Sequence, residues 1–565
     1  MPLGYRGGEE GDRGQGTGNR AASRPRGAAA YSEWVNATKR RLRGAELLAN
    51  PILNRGTAFT DAERSALGLH GLLPPQVETL EEQAQRAWEA YQRKSDDLER
   101  HIYLRALQDA NEVLFYRVLL DHIAETMPVV YTPVVAEACR EFSHIYRRPR
   151  GLILSYPRRA ELRTMLRNRS YRQVDVIVAT DGERVLGIGD QGVGGLGIPI
   201  GKLALYTLIG GIHPARTLPI VLDVGTNNQE RLRDPEYLGW RHERLDGAAY
   251  DEFLEEFVAA VEEEMPGVLL QWEDFATRHA RTLLDRYRER LLSFNDDIQG
   301  TAAVALAAGL SAVGAAGGRF RDQQWVFFGA GSAALGVADY FRTAMQQEGL
   351  SQSEARAAFW LVDSNGLVHQ GRDDLNPEKR AYAQPLARLV NWRRGPGGAL
   401  GLSDVIHNIR ATGLIGLSTV AGAFDEGIVR ELARKVDRPL ILPLSNPTEC
   451  CEAHPDDLRR WSDGRALVAS GSPFPGVAQC NNVYIFPAVG LGVVASRAHR
   501  VTDAMMMTAA RELARHSPAR QDPKAPLLPP LEDLREVARE VAVAVAGKRL
   551  RARVAAAQWT PAYGL

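Results

Sequence analysis

Two pairs of adjacent carboxylates set the first chemical question. Gln271-Trp-Glu273-Asp274-Phe275 places one pair just past an apolar run, and Phe294-Asn-Asp296-Asp297-Ile-Gln-Gly300 places the other at the head of an alanine-rich run. Carboxylates with no cysteine or histidine beside them suit a hard divalent cation such as Mg²⁺ or Mn²⁺, which takes oxygen ligands and keeps positions open for a chelating substrate. One such pair alone reads as a solvated loop; two pairs, both flanking buried-looking runs, read as a metal centre. The segment from Thr180 to Lys202 carries seven glycines between Gly187 and Gly201, so its backbone is expected to pack tightly around something. Lys202 follows them at the start of an apolar helix, where burial and the helix N-terminus would lower its pKa towards that of a general base. Arg184 offers a planar fork for a carboxylate. Tyr131-Thr-Pro133, taken alone, reads as packing beside a turn.

A nucleotide loop follows the second acidic pair. Trp325-Val-Phe-Phe-Gly329-Ala-Gly331-Ser332-Ala333-Ala334 is an apolar strand, a glycine turn and a helix start. Gly329 permits the turn and Gly331 lets the backbone approach a pyrophosphate. Ala334 allows close helix–strand packing, and the free N–H groups around Ser332 and Ala333 would face the phosphates. A second strand, Phe359–Val362, ends in Asp363, placed to bond the adenosine ribose. Asp363 would repel a 2′-phosphate, and Ser364-Asn365 brings no adjacent cation, which favours NAD over NADP.

These groups need a scaffold. Tyr31 to Pro149 has a helical pattern and reads as a packing or oligomerisation layer. From Val174 onward short apolar runs take over: Val174–Ala179, Leu218–Val224, Val268–Trp272 and Trp325–Phe328 look like buried parallel strands separated by helices. Asp181, Asp223, Glu273, Asp274 and Gly329 fall at or just after strand ends, where open α/β sheets bind ligands. Leu531–Ala546 reads as a helix that Gly547 closes.

Composition narrows the class. Lys+Arg and Asp+Glu both number 69, so no net field points to nucleic acid or a membrane surface. No run of about 18 uncharged apolar residues predicts a membrane span. Cys139, Cys450, Cys451 and Cys480 form no C-x-x-C pair, which removes the usual zinc and thioredoxin readings and suits a reducing cytoplasm. Residues 1–30 are rich in Gly, Arg and Ala, and are expected to be a disordered tail.

Taken in order, these segments resemble the malic enzyme family. The pattern runs through YTP at Tyr131, TDGERxLGxGD at Thr180, GIPxGKL at Gly197, QxEDF at Gln271, FNDDIQGT at Phe294 and GAGxA at Gly329. It continues through LSNPT at Leu444, ASGSPF at Ala469 and QCNN at Gln479. The resemblance spans nearly everything from Tyr103 to Val545 and is nearest the bacterial NAD-preferring branch. It implies oxidative decarboxylation of malate to pyruvate and CO₂, with a malolactic enzyme, which releases lactate and retains NAD, as the alternative. Glu273, Asp274 and Asp297 would hold Mg²⁺ or Mn²⁺. Lys202 would be the base, Asp296 would orient it, and Tyr131 would protonate C3. Arg184, Asn446, Asn481 and Asn482 would hold the substrate carboxylate and neighbouring cofactor groups, with Asp297 close to the cofactor. Lys379 falls about where NADP-using relatives carry a phosphate-binding lysine, which leaves NADP open.

The implied fold class is α/β: a helical N-terminal domain (31–149), an α/β catalytic domain (150–296, continued by 482–545) and a Rossmann-type doubly wound parallel-sheet NAD-binding domain (297–481). Residues 546–565 would be a C-terminal tail. The resemblance also implies a homodimer or homotetramer built on the N-terminal helices.

Overall fold

The computed structural model describes residues 42–185, 187–393 and 400–564. The expected tail over residues 1–30 lies outside them. The chain begins with helices whose ends are written in local residues. Thr79 and Glu82 close a capping box at the head of Leu80–Gln92, and Asp96 caps Asp97–Ala110. Asn111 leaves helical geometry and caps Glu112–Asp121, so one long apolar pattern becomes two helices. Ile123–Val130 follows and stops at Tyr131. Leu104, Phe115, Leu119 and Val130 from these helices are buried in the main core.

Two sheets come next. The first has five parallel strands, β1 (Leu152–Ser155), β2 (Val176–Thr180), β3 (Thr217–Asp223), β4 (Leu269–Trp272) and β5 (Ser293–Asn295), ordered β1-β3-β2-β4-β5. The second holds β6 (Trp325–Phe328), β7 (Phe359–Asp363), β8 (Gly366–Leu367), β9 (Gly413–Gly416), β10 (Leu440–Pro443), β11 (Leu467–Ser470) and β12 (Ala478–Gln479). Its order is β12-β11-β10-β9-β6-β7-β8, parallel except for the β7–β8 hairpin. Strands covered on both faces cannot alternate polar and apolar residues, which is why these runs are nearly continuous in apolar side chains. The strand order reverses between β6 and β9, so the crevice for a ligand opens beyond their carboxyl ends.

In the chain, the helix Thr301–Ala315 separates the two sheets. The stretch 296–315 has the length and apolarity of a membrane span, yet 78% of its most apolar window is buried inside the protein. It is a core helix. After Asn482 the chain continues as helices: Phe486–Ser496 and Leu534–Ala546 pack on one another, Phe486–Ser496 packs beside Gly197–Leu208, and no strand follows β12 among the described residues. Gly547, at φ 96°, ends the last of these as expected.

The segment expected to be a C-terminal tail is instead docked. Arg551–Ala557 is helical, and Trp559 N–H donates to Gly211 O at 2.6 Å. The Trp559 ring meets Tyr116 and His213 edge-on, and the Tyr563 hydroxyl bridges Asn111 and Gln83 at 2.7 and 2.6 Å. The sequence signal was missed because single aromatics spaced along a basic run have no period. Trp559→Ala is expected to destabilise the protein by about 2 kcal/mol, read as a lower urea midpoint with an unchanged slope.

Candidate functional site

The acidic pairs meet where β4 and β5 end side by side. Successive strand residues point to opposite faces, so Gln271 and Glu273 share a face while Trp272 fills the core on the other. Gln271 Nε2 donates to Glu273 Oε2 at 2.7 Å, and the Tyr206 hydroxyl donates to Gln271 Oε1 at 2.5 Å. Asp274 comes next and would point away from Glu273 in an extended chain. Its φ of 56° turns it back, a left-handed conformation that is strained for a residue with a Cβ and is found at sites that need it. From the other strand, Asn295 caps the single wide π-helical turn Asp296–Gly300, and Asp297 Oδ2 accepts the Asp274 N–H at 2.9 Å. Glu273, Asp274 and Asp297 thus offer oxygens within 4.8 Å of one another. Asp274 Oδ1 is buried with no hydrogen-bond partner, as expected of an atom awaiting a cation. The donor set is oxygen only, which fits Mg²⁺ or Mn²⁺.

Lys202 lies against this cluster. Its ammonium is buried, ion-paired to Glu273 Oε1 at 2.9 Å and hydrogen-bonded to Asp296 Oδ2. It stands 5.3 Å from the Tyr131 ring centroid and 4.6 Å from that of Phe486. The expected lowering of its pKa is overturned. Burial alone would lower it, but Asp296 and Glu273 outweigh burial and hold the ammonium charged, well above the usual range. Nor is Lys202 at a helix N-terminus: it sits in the second turn of Gly197–Leu208, beyond the reach of the terminal dipole. Burial, with the other acids, pushes the Glu273 and Asp274 carboxyls well up and that of Asp297 up to about 6. Burial likewise raises the Tyr131 hydroxyl, so it stays protonated.

The remaining candidates differ in placement. Asn482 Nδ2 donates to Asp296 O at 3.0 Å and to Asp296 Oδ2 at 3.1 Å, which joins it to the Lys202 network. Asn481 Oδ1 accepts the Val483 N–H and starts the following turn. Arg184 donates its backbone N–H to Asp274 O at 3.1 Å, but its exposed guanidinium turns to the Thr277 hydroxyl. Asn446 is exposed and accepts a bond from Ser472 at 2.9 Å; the loop it shares with Pro447 approaches Gly187. Neither Arg184 nor Asn446 touches the carboxylates with its side chain.

Across the crevice, Gly329 has φ 110°, and a Cβ there would fall 2.3 Å from Leu417 O, so the turn after β6 admits only glycine. A Cβ on Gly331 would meet nothing within 4 Å, which leaves open the space a pyrophosphate needs at the head of Ser332–Gln347. Asp363 does not stand without cations, as Ser364-Asn365 had suggested. Arg372 grips both its oxygens at 2.7 and 3.1 Å, and Lys379 Nζ lies at 2.6 Å. Partial burial raises the Asp363 carboxyl, but Arg372 and Lys379 bring it below its usual range.

Two family descriptions match the chain: "Malic enzyme, N-terminal domain" over residues 108–288 and "Malic enzyme, NAD binding domain" over residues 298–550. The chain is 53% identical to the NAD-dependent malic enzyme of Pectobacterium carotovorum, covering 89% of this chain and 90% of that one. It is 52% identical to that of Edwardsiella ictaluri, covering 91% and 92%. This chain belongs to the malic enzyme family. Solved malic enzymes share the fold at lower identity. That of Entamoeba histolytica aligns with a TM-score of 0.52 at 22% identity, covering 85% of this chain and 86% of its own. The NAD-dependent malic enzyme of Thermotoga maritima gives 0.50 at 24%, covering 75% and 93%.

Within the malic enzyme fold, the supporting residues were the ones the sequence reading missed. Gln271 could have been found, since it lies two residues before Glu273 on one strand and so shares its face. Arg244 could not. Its guanidinium bonds both oxygens of Asp190 at 2.7 and 3.1 Å and Asp181 O at 3.0 Å, which ties together the two feet of the loop carrying Arg184. Nothing local marks an arginine 54 residues from its partner.

Proposed function

We propose that this malic enzyme oxidises (S)-malate and decarboxylates the product, giving pyruvate and CO₂ with reduction of NAD. One observation carries the reading: a buried Lys202 ammonium set between Asp296 and Glu273, with the Tyr131 ring beside it and the three-carboxylate cluster alongside. Glu273, Asp274 and Asp297 would hold Mg²⁺ or Mn²⁺, which supplies Lewis-acid stabilisation of negative charge on the substrate's C2 oxygen. Gly329, Gly331, Ser332, Ala333 and Asp363 would hold NAD, which supplies the hydride acceptor.

The chain's own groups handle the protons. Lys202 accepts the C2 hydroxyl proton, and it must be neutral to do so. Asp296 and Glu273 hold it charged at rest, and engaging Glu273 elsewhere removes one of those two anions. Asp296 orients the amine, and Asn482 steadies Asp296 from behind. Once CO₂ has left, Tyr131, kept protonated by burial, gives its proton to C3 of the enolate. Arg184, Asn446 and Asn481 would meet the substrate carboxylate and cofactor. For Arg184 this needs its guanidinium to leave Thr277. A homodimer or homotetramer on the N-terminal region and a cytoplasmic location belong to the same reading, supported by Leu72 and Val77, exposed in the loop before Leu80–Gln92, and by four unpaired cysteines.

Malate with Mn²⁺ and NAD should yield pyruvate and NADH in equal amounts; lactate formed without NADH would replace this reading by the malolactic one. Run side by side, kcat/KM with NAD is expected to exceed that with NADP by roughly tenfold or more, because Arg372 and Lys379 are already committed to Asp363. Asp363→Ser frees both cations and should move the ratio towards NADP. A ratio unchanged in that variant would remove Asp363 from cofactor choice.

A further inference from the structure

Tyr131 is held from outside the site. The helix Ile123–Val130 ends at Tyr131, so its last carbonyls need partners beyond the helix. The residue four beyond Val129 is Pro133, which has no N–H to offer. One neighbouring helix supplies the substitutes. His101 and Arg105, four apart on Asp97–Ala110 and therefore on one face, reach Val129 O at 2.8 Å and Val130 O at 3.3 Å. His101 is buried, and burial pushes its pKa down to about 3, so its ring is neutral and must carry its proton on Nδ1 to bond a carbonyl.

Arg105 is an unusual choice for mere stability. It forms no ion pair among the described residues; its guanidinium otherwise meets Gln108 Oε1 at 2.5 Å and the Phe115 ring, whose centroid is 5.9 Å away. Its charged neighbour Arg150 is itself engaged by Asp109 and Glu112. Burial and Arg150 together press its pKa down to about 10. An apolar residue would avoid that cost. The carbonyl it grips is also where the Lys202 helix touches down: a Cβ on Gly201 would lie 3.0 Å from Val130 O and 3.5 Å from the Tyr131 ring. Val130 O therefore lies where the Tyr131 segment packs against the Lys202 helix.

We infer that His101 and Arg105 are positioning residues that hold Tyr131, through the Val129 and Val130 carbonyls, in the orientation needed to protonate C3. This rests on the reading of Tyr131 as the acid. Two partial reactions separate the steps. Exchange of pyruvate methyl protons for deuterons in D₂O, with Mn²⁺ and NADH present, breaks and remakes only C3–H bonds. Reduction of oxaloacetate by NADH reads hydride transfer without Tyr131.

Tyr131→Phe should lower exchange by about 100-fold or more and spare reduction. Arg105→Met and His101→Phe should lower exchange by about 10- to 100-fold and leave reduction within about twofold, as expected when a reacting group is displaced by a fraction of an ångström to an ångström. Arg105→Lys, which keeps a donor for the carbonyl, should recover part of the loss. If Arg105→Met does not fold, His101→Phe and Arg105→Lys carry the same comparison. Parallel loss of both reactions, or loss of neither, overturns the inference. Intact exchange in Tyr131→Phe overturns instead the assignment of Tyr131.

Discussion

Lys202→Ala is expected to lower kcat for malate oxidation by about 10²- to 10⁴-fold, with kcat/KM falling in parallel. The amine meets the substrate proton in the chemical step, so its loss is felt in the transition state more than in binding. Mn²⁺ affinity should hold or rise, because the ammonium competes for Glu273 at 2.9 Å. Removing a buried cation leaves Asp296 and Glu273 uncompensated, a loss of about 3–5 kcal/mol in the metal-free protein. Turnover is therefore measured at saturating Mn²⁺, with a melting curve of the same sample. Residual kcat within tenfold of the parent would end the assignment of Lys202 as base.

Asp297→Ala is expected to weaken Mn²⁺ binding by at least about 100-fold, since even groups that only support ligands are worth 10- to 100-fold. Stripping the metal with a chelator should abolish turnover, and added Mn²⁺ should restore it. The site's pH dependence follows from burial. In the metal-free protein the Asp297 carboxyl is raised from 3.8 to about 6, so the folded state binds a proton that the unfolded chain has released. Metal-free stability then falls as pH rises from about 4 to about 6, and the cost is complete above that window. A cation binds the ionised form, so Mn²⁺ should bind more tightly as pH climbs through it, with proton release. A melting temperature of the chelated protein that rises over this interval, or a metal titration unaffected by Asp297→Ala, would contradict the arrangement.

Several features were readable because their signals are local. A carboxylate pair after an apolar run, a second at the head of another, and a glycine turn between strand and helix each need only a few adjacent residues to be recognised. The parallel sheets followed from runs too uniformly apolar to have an exposed face. Other features depend on residues far apart in the chain. Arg372 reaches Asp363 only because the β7–β8 hairpin folds back, and Trp559 becomes a packing residue only when Gly211 and Tyr116 arrive beneath it.

The carboxylate centre thus divides cleanly between the two levels. The sequence by itself determined which residue types could hold a hard cation, that a dinucleotide turn follows them, and, through family resemblance, that malate is the substrate to test. The tertiary structure decided that Asp274 turns back at φ 56° to join Glu273 and Asp297, and that Arg105 reaches the carbonyl before Tyr131. It also reversed the expected state of Lys202. Burial favours a neutral amine, as its neighbours in sequence suggested, but a buried charge answers to what lies within a few ångströms in space. Asp296 and Glu273, 94 and 71 residues further along, lie that close.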